Sequence, residues 1–429
     1  MNDRSAAQAW YCVALLCALS ALSFVDRYIL SLVAHDVSLE LGLSDSQMGL
    51  LLGVGFAAVY SLIGFPLAHL IDRSHRVRIV VAGVTVWSLS TTGSAFVHDF
   101  ATLALCRSGI AAGEAVLGPA AISLIGDLFS RERRTVPVAT YGTIAAVMGT
   151  GALAIGGGAL RLAHLIAPDL AMAPWRITML IIGLPGVALA LVLLLTVREP
   201  ARQDQARDAR PADPSWQAFL HEASAGVYAP FYAACCAIAS AVYGLTSWAP
   251  TLLIRLYGLE ASQVGFLLGT IGVPAALAGS VCWPWLARRL QDRGSARGII
   301  VAMLISTVLT APALVLSPLG QSALLIACGV ALVKLLNSSG TLAPLALVTI
   351  GPGNMRGRLM AIYAACSNLV GLSVGGIAVP LLAKLWPGER MAMAYASALL
   401  GAICALVMVI SMVLCLRALT RRSHAAAAA

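Results

Sequence analysis

The sequence predicts an all-α polytopic membrane protein of twelve transmembrane helices in two pseudo-symmetric six-helix bundles. Three observations predict it. Of the 429 residues, 59% are hydrophobic and only 11% are charged, where a soluble domain carries roughly 25% charged residues; the mean hydropathy is +0.88. The apolar residues form continuous runs of about 20, enough to cross a bilayer as a helix, and not the period-two alternation of a membrane β-barrel. One twelve-residue stretch recurs half a chain later. A chain this poor in polar side chains cannot cover its surface in water, which excludes a soluble enzyme.

At about 30–36 residues per span and connection, the length accommodates about 12 spans. The apolar runs place them at 9–33, 46–70, 77–97, 101–127, 136–160 and 175–197, then 228–254, 261–287, 297–317, 321–349, 357–383 and 391–417. The long connection 198–227 is rich in Arg, Asp, Ala and Pro, a composition that builds no core. It reads as a cytoplasmic linker between bundles at 1–197 and 228–418. Residues 419–429 form a tail, in which the Ala425 to Ala429 run reads as a cloning remnant.

Charge placement sets the orientation. Connections on one side, with both tails, hold 20 of the 28 Lys and Arg, including Arg73, Arg76, Arg78, Arg131, Arg133, Arg134, Arg288, Arg289, Arg356 and Arg358. The other side holds five, namely Arg161, Arg176, Arg255, Lys384 and Arg390. By the positive-inside rule both termini and the linker are cytoplasmic. The net charge of +9 is thus a topology signal. Spread over many short turns, it makes no nucleic-acid face. The first span is followed by His35 and Asp36 without a small-residue cleavage site, so it is not a removed signal peptide. The ten cysteines fall inside the spans and are expected to pack as small apolar residues.

The repeat runs from Gly42-Leu43-Ser44-Asp45-Ser46-Gln47 to Gly53 and again from Gly258-Leu259-Glu260-Ala261-Ser262-Gln263 to Gly269. Eight of twelve positions are identical at a constant offset of 216. Each copy opens the second helix of its half, so the halves are parallel repeats.

Few ionisable residues fall well inside the spans: Asp26 and Arg27 in helix 1, Arg107 and Glu114 in helix 4, and Lys334 in helix 10. A charge at mid-bilayer costs ~2.5–3.5 kcal/mol on insertion scales, which makes each a functional candidate. Arg107 and Glu114 are seven residues apart on one helical face, ~10 Å along the axis, too far for direct contact unless both side chains stretch. Each therefore calls for other partners, with Asp26 and Arg27 the available ones. A network that merely clamps helix 1 to helix 4 is one reading. Buried ion pairs stabilise poorly compared with apolar packing, which favours function. The functional reading is a proton relay, in which Asp26 or Glu114 changes partner and takes up a proton. Gly109 and Gly113 allow close helix approach on helix 4. Lys334 lies near mid-span, where snorkelling reaches neither surface well. It reads as a cavity cation that, with Arg27, suits a carboxylate or phosphate.

At the cytoplasmic end of helix 2 the sequence reads Gly64-Phe65-Pro66-Leu67-Ala68-His69-Leu70-Ile71-Asp72-Arg73-Ser74-His75-Arg76. An acid followed by a basic turn can form interhelical charge pairs that lock one conformation, making Asp72, Arg73 and Arg76 a candidate cytoplasmic gate. The stretch resembles the loop 2–3 signature of the major facilitator superfamily, with Ala68 and His75 where that family usually has glycines. Within it, Asp72-Arg73-Ser74-His75-Arg76, Val86-Trp87-Ser88-Leu89-Ser90 and Gly93-Ser94-Ala95-Phe96 resemble the spinster family. So do Arg107 with Gly113-Glu114-Ala115, Ile125-Gly126-Asp127-Leu128-Phe129, Asp26-Arg27-Tyr28, and Trp248-Ala249-Pro250 with Arg255. The resemblance is dense over 24–160 and thinner after it. It implies proton-linked alternating-access transport of an amphiphile such as a lysophospholipid or sphingolipid-like molecule, with Asp26 and Glu114 as coupling acids. The anion:cation symporter family also pairs Asp-Arg in helix 1 with Arg and Glu-Ala in helix 4; it implies a small organic acid such as a sugar acid.

An uncoupled scramblase or receptor on the same fold is the third reading. A membrane enzyme would need a nucleophile–base set or a metal cluster, and none of the seven histidines lies mid-span. No nucleotide or cofactor fingerprint occurs. The expectation is a monomer in a bacterial inner membrane, with no cofactor or metal, the proton as coupling ion, and substrate and bilayer as its partners.

Overall fold

The computed structural model describes residues 3–130, 133–201, 226–290, 296–337, 339–351 and 355–428. Among them twelve helices are long and apolar enough to cross a membrane, and no strand occurs. In chain order they are α1 (Ala6–Leu32), α2 (Asp45–Ile71), α3 (Arg76–Phe96), α4 (Phe100–Leu128), α5 (Thr135–Leu170) and α6 (Pro174–Thr196). They continue with α7 (Tyr228–Tyr257), α8 (Ala261–Leu290), α9 (Arg297–Leu319), α10 (Ala323–Ile350), α11 (Arg358–Ala383) and α12 (Ala392–Arg421). The core of each coincides to within a few residues with one of the apolar runs read from the sequence, because bilayer thickness leaves little freedom in how short such a run can be.

The chain packs as two compact units, one of Met1–Asp208 with Gly258–Val273 and one of Ala209–Tyr257 with Pro274–Ala429. The boundary passes through α8 at Pro274, one of two prolines inside that helix.

The repeat is visible in backbone geometry. Gly42 and Gly258 precede α2 and α8 with φ of 64° and 65°, a left-handed conformation that glycine adopts without steric cost. Ser44 then caps α2: its hydroxyl accepts from the Gln47 amide, and the Gln47 side chain accepts from the Ser44 amide at 2.9 Å, a capping box. At α8 the Gln263 side chain accepts from the Glu260 amide at 3.2 Å. One half of the box survives where Glu260 replaces the serine.

Three spans are broken. In α2 the break is Gly53, at φ −105° and ψ −95°; in α4 the helices are Phe100–Glu114 and Leu117–Leu128; in α10 they are Ala323–Leu336 and Ser339–Ile350. A break leaves main-chain carbonyls without helical partners, and in a membrane each needs a donor. At the α10 break the Trp283 indole donates to the Leu335 carbonyl at 2.8 Å, and the Ser306 hydroxyl to the Leu336 carbonyl at 2.5 Å.

Within the first unit α3 takes both α4 and α6 against glycine. A Cβ on Gly113 would lie 2.8 Å from the Trp87 nitrogen, and one on Gly183 would lie 2.9 Å from the Ser88 carbonyl oxygen. Gly109 faces Ser90 of the same helix, so the small face read on helix 4 is the one that meets α3. The second unit repeats the device between α7 and α11, where a Cβ on Gly375 would lie 2.6 Å from the Ser240 oxygen. Beside it the buried Trp248 indole donates to the Gly376 carbonyl at 2.9 Å. Lipid offers apolar groups no reason to leave it, so close backbone contact is what holds such helices together. Leu105, Leu165 and Leu195 are about three-quarters exposed, as a lipid-facing surface allows.

Candidate functional site

In the first unit the broken helices α2 and α4 bring the intramembrane charges of α1 and α4 together. Glu114 is the last residue before the α4 break, and its side chain is fully buried. The Arg27 guanidinium donates to Glu114 Oε2 twice, from Nη2 at 2.7 Å and from Nε at 3.2 Å. The other oxygen, Oε1, is buried and has no hydrogen-bond partner among the described residues. The pair therefore uses one carboxylate oxygen and leaves the second open, unlike the two-oxygen fork that arginine and carboxylate usually form.

Arg107 is held differently. It is buried, and its guanidinium donates to main-chain carbonyls, those of Leu51 at 3.3 Å, Asp26 at 3.4 Å and Arg27 at 3.1 Å. Leu51 stands in the last turn before Gly53. The two arginines also share a ring: their guanidinium carbons lie 5.0 Å (Arg27) and 4.6 Å (Arg107) from the centre of Phe56. Arg107 thus ties α4 to α1 and α2 through backbone, while Arg27 is ion-paired with the Glu114 carboxylate.

Asp26 is buried, at 1% exposure, and neither carboxylate oxygen has a hydrogen-bond partner among the described residues. It opens on a cavity of ≈ 10 Å³ lined also by Thr91, Ser94, Arg107 and Met179. That volume is about the room one water needs.

Of the five intramembrane charges, the structure joins four in this unit, as Arg27 with Glu114 and Arg107 with the backbone at Asp26 and Arg27. It joins neither Asp26 carboxylate to Arg27 nor Arg107 to Glu114. Lys334 belongs to the second unit. It lies one turn before the α10 break, half-buried, and no acidic side chain pairs with it among the described residues.

The candidate gate resolves unevenly. The side chain of Asp72 lies outside the described residues, and Arg73 is exposed. Arg76 is 1% exposed and carries the cluster. It pairs with Asp127, donates to Glu199 Oε1 at 2.7 Å, and also reaches the Ser123 hydroxyl at 3.0 Å and the Pro200 carbonyl at 3.0 Å. Glu199 accepts the Val77 amide at 2.9 Å and faces His75 Nδ1 at 3.1 Å. Burial alone would raise the Glu199 pKa, but the donors from Val77 and Arg76 outweigh it and leave the carboxyl below the usual glutamate value. At the opposite end of the unit Glu40 accepts from Arg176 at 2.8 Å and from the Trp175 indole. These donors likewise overcome burial and lower its pKa.

Sequence reasoning missed Phe56, Tyr60 and Glu199. Phe56 and Tyr60 stand at i, i+4 spacing on one face of α2, a readable pair, but the arginines they meet come from α1 and α4 and leave no signal beside them in the sequence. Glu199 stood in Arg198-Glu199-Pro200 at the head of the presumed linker, where an acid directly after an apolar run signals a helix-end partner.

A sequence profile of the Major Facilitator Superfamily matches residues 16–376. An MFS-type efflux pump of Mycolicibacterium smegmatis is 31% identical over 318 residues, 72% of this chain and 69% of that protein. Human protein spinster homolog 1 is 30% identical over 249 residues, 57% of this chain and 45% of the relative. A probable L-galactonate transporter of Escherichia coli is 30% identical over 172 residues, 40% of this chain and 36% of that one. Among solved structures, a bacterial homolog of the human lysosomal transporter Spinster superposes with a TM-score of 0.82 at 23% identity, covering 96% of this chain and 97% of the other. The nucleoside transporter NupG superposes at 0.68 and 13% identity, covering 94% and 98%.

Proposed function

This chain belongs to the major facilitator superfamily, and from that premise we propose a proton-coupled secondary transporter for an anionic or zwitterionic amphiphile. It is a transporter and not an enzyme, related to spinster proteins and to a sugar-acid transporter. The observation that carries the coupling is the open oxygen: Glu114 holds Arg27 by Oε2 while Oε1 has no partner among the described residues. A proton on Oε1 cancels the charge that binds Arg27. Breaking a buried pair by removing one charge costs about 3–5 kcal/mol, ample to bias one conformation of the site over another. Asp26, buried against a one-water cavity that Thr91 and Arg107 also line, is the second proton-carrying group in this scheme.

In the same reading, residues 1–197 and 228–418 are two six-helix halves that alternate access, and Arg27 in one and Lys334 in the other each offer positive charge to an anion. The cytoplasmic linker of this reading is 198–227, of which 202–225 lie outside the described residues, and Asp72, Arg73 and Arg76 act at the cytoplasmic gate. The chain works as a monomer in a bacterial inner membrane with both termini cytoplasmic, without cofactor. Likeness to spinster proteins supports a lysophospholipid or sphingolipid-like cargo. Likeness to the probable L-galactonate transporter supports a second reading, a small organic acid carried by the same cations.

Proteoliposomes test both. A gradient of lysophospholipid, or of galactonate in the second reading, should move protons. Asp26→Asn or Glu114→Gln should abolish that movement while exchange persists. Proton movement intact in both variants removes the coupling assignment, and cargo movement without protons in the unmodified chain favours an uncoupled scramblase.

A further inference from the structure

Phe56 stands where two cations meet. Its side chain is fully buried, and its ring is shared by the guanidiniums of Arg27 and Arg107 at 5.0 and 4.6 Å. Two more rings face Arg27: Phe24 at 5.6 Å and Tyr60 at 5.2 Å. Phe56 and Tyr60 stack with centroids 5.8 Å apart and 20° between their planes. Apolar packing gives no reason to gather two like charges on one ring; the attraction of a guanidinium to the negative face of an arene does.

The two arginines differ in what else holds them. Arg107 has three carbonyl acceptors, whereas the side-chain anion for Arg27 is one oxygen of Glu114. The other ionisable groups near Arg27 are the phenols of Tyr28 and Tyr60, and Asp26 and Arg107 are close by. When Glu114 takes a proton, Arg27 stays charged, because a guanidinium does not give up its proton in a protein. It then needs a neutral partner that still favours a cation.

We infer that Phe56 is a positioning residue: with Phe24 and Tyr60 it forms an aromatic cage that holds Arg27 beside Arg107 while Glu114 is protonated. The proton-release half of this statement rests on the coupling proposed above. The cage itself rests on ring and guanidinium geometry alone. Fully buried, it acts through Arg27.

The test separates the two. In the full chain, Phe56 is replaced by 4-fluoro-, 3,5-difluoro- and 3,4,5-trifluorophenylalanine, which keep the ring's shape while draining its negative face. The melting temperature in detergent should fall stepwise along the series, and more steeply in a Glu114→Gln background, where the carboxylate no longer shares Arg27. A flat series in both backgrounds overturns the cage. In proteoliposomes with a lysophosphatidylglycerol gradient, the pH profile of proton movement should shift stepwise along the same fluorination series. Phe56→Leu should lose about tenfold in rate and shift the profile; an unchanged profile in Phe56→Leu overturns the positioning role. If the unmodified chain moves no protons with this lipid or with galactonate, the coupling reading fails, and the fluorination series alone decides the cage.

Discussion

Arg107 of α4 donates to the carbonyl of Leu51 at 3.3 Å, in the last turn of α2 before its break at Gly53. A membrane helix cannot be interrupted unless something satisfies the backbone it releases. The arginine is part of the α2 break as much as of the charge network around Glu114.

Arg107→Lys should therefore not be conservative. Lysine keeps the charge, but its single ammonium cannot span carbonyls of Leu51, Asp26 and Arg27 as a planar guanidinium does. Leaving buried acceptors unfilled costs about 1–3 kcal/mol each. A loss of about 2–4 kcal/mol, read as a lowered melting temperature with helicity retained, is the expected outcome. A lysine variant as stable as the parent would show that the carbonyl contacts contribute nothing.

Glu199 should make the chain acid-sensitive. Its folded pKa is depressed, so its contribution to stability is present above the unfolded glutamate value and is lost as pH falls through the folded one. Glu199→Gln should cost about 1.5–3 kcal/mol at neutral pH, the worth of hydrogen bonds to a charged group. It should also flatten the decline of melting temperature below the ordinary glutamate range. Parallel melting curves for the variant and the parent across acid pH would count against this role.

Gly113→Ala and Gly64→Ala form a matched pair. At Gly113 the added carbon lands 2.8 Å from the Trp87 nitrogen, while at Gly64 it meets nothing within 4 Å. Gly64→Ala should be neutral or stabilising by about 0.5–1 kcal/mol, the difference in helix propensity. Gly113→Ala should destabilise by about 1–3 kcal/mol, the usual cost of overpacking. Expression level and melting temperature report both, and equal effects at the two sites would refute the close α3–α4 contact.

Lys334→Met tests the cation of the second unit. No acidic side chain pairs with it among the described residues, and in the proposed function it meets an anionic cargo. The thermal shift produced by lysophosphatidylglycerol or galactonate should shrink, equivalent to about tenfold weaker binding. A shift of undiminished size would place the cargo's charge elsewhere.

Much of the fold was legible because bilayer thickness acts on local composition. The twelve runs, the repeat at Gly42 and Gly258, and the small face of Gly109 and Gly113 need no knowledge of distant contacts. The charges were legible as a set, since a residue such as Glu114 or Lys334 stands out in a chain with 11% charge. Their pairing was not. The seven-residue spacing of Arg107 and Glu114 correctly separates them, yet it is silent on where Arg107 goes, because its acceptors are backbone carbonyls that carry no sequence signature. Arg76 illustrates the same limit: the gate motif marks it, but its partners Asp127 and Glu199 lie 51 and 123 residues away.

The sequence by itself determined that this is a twelve-span membrane protein with a duplicated opening to the second helix of each half, and which residues carry charge into the bilayer. Tertiary structure alone decided that Arg27 takes one oxygen of Glu114, that Asp26 is left facing a one-water cavity, and that Phe56 lies under both arginines. The physical reason is range. Hydrophobic thickness and helix caps are settled within a few residues, whereas a buried charge finds its partner only where the breaks in α2 and α4 bring distant backbone and side chains to one place.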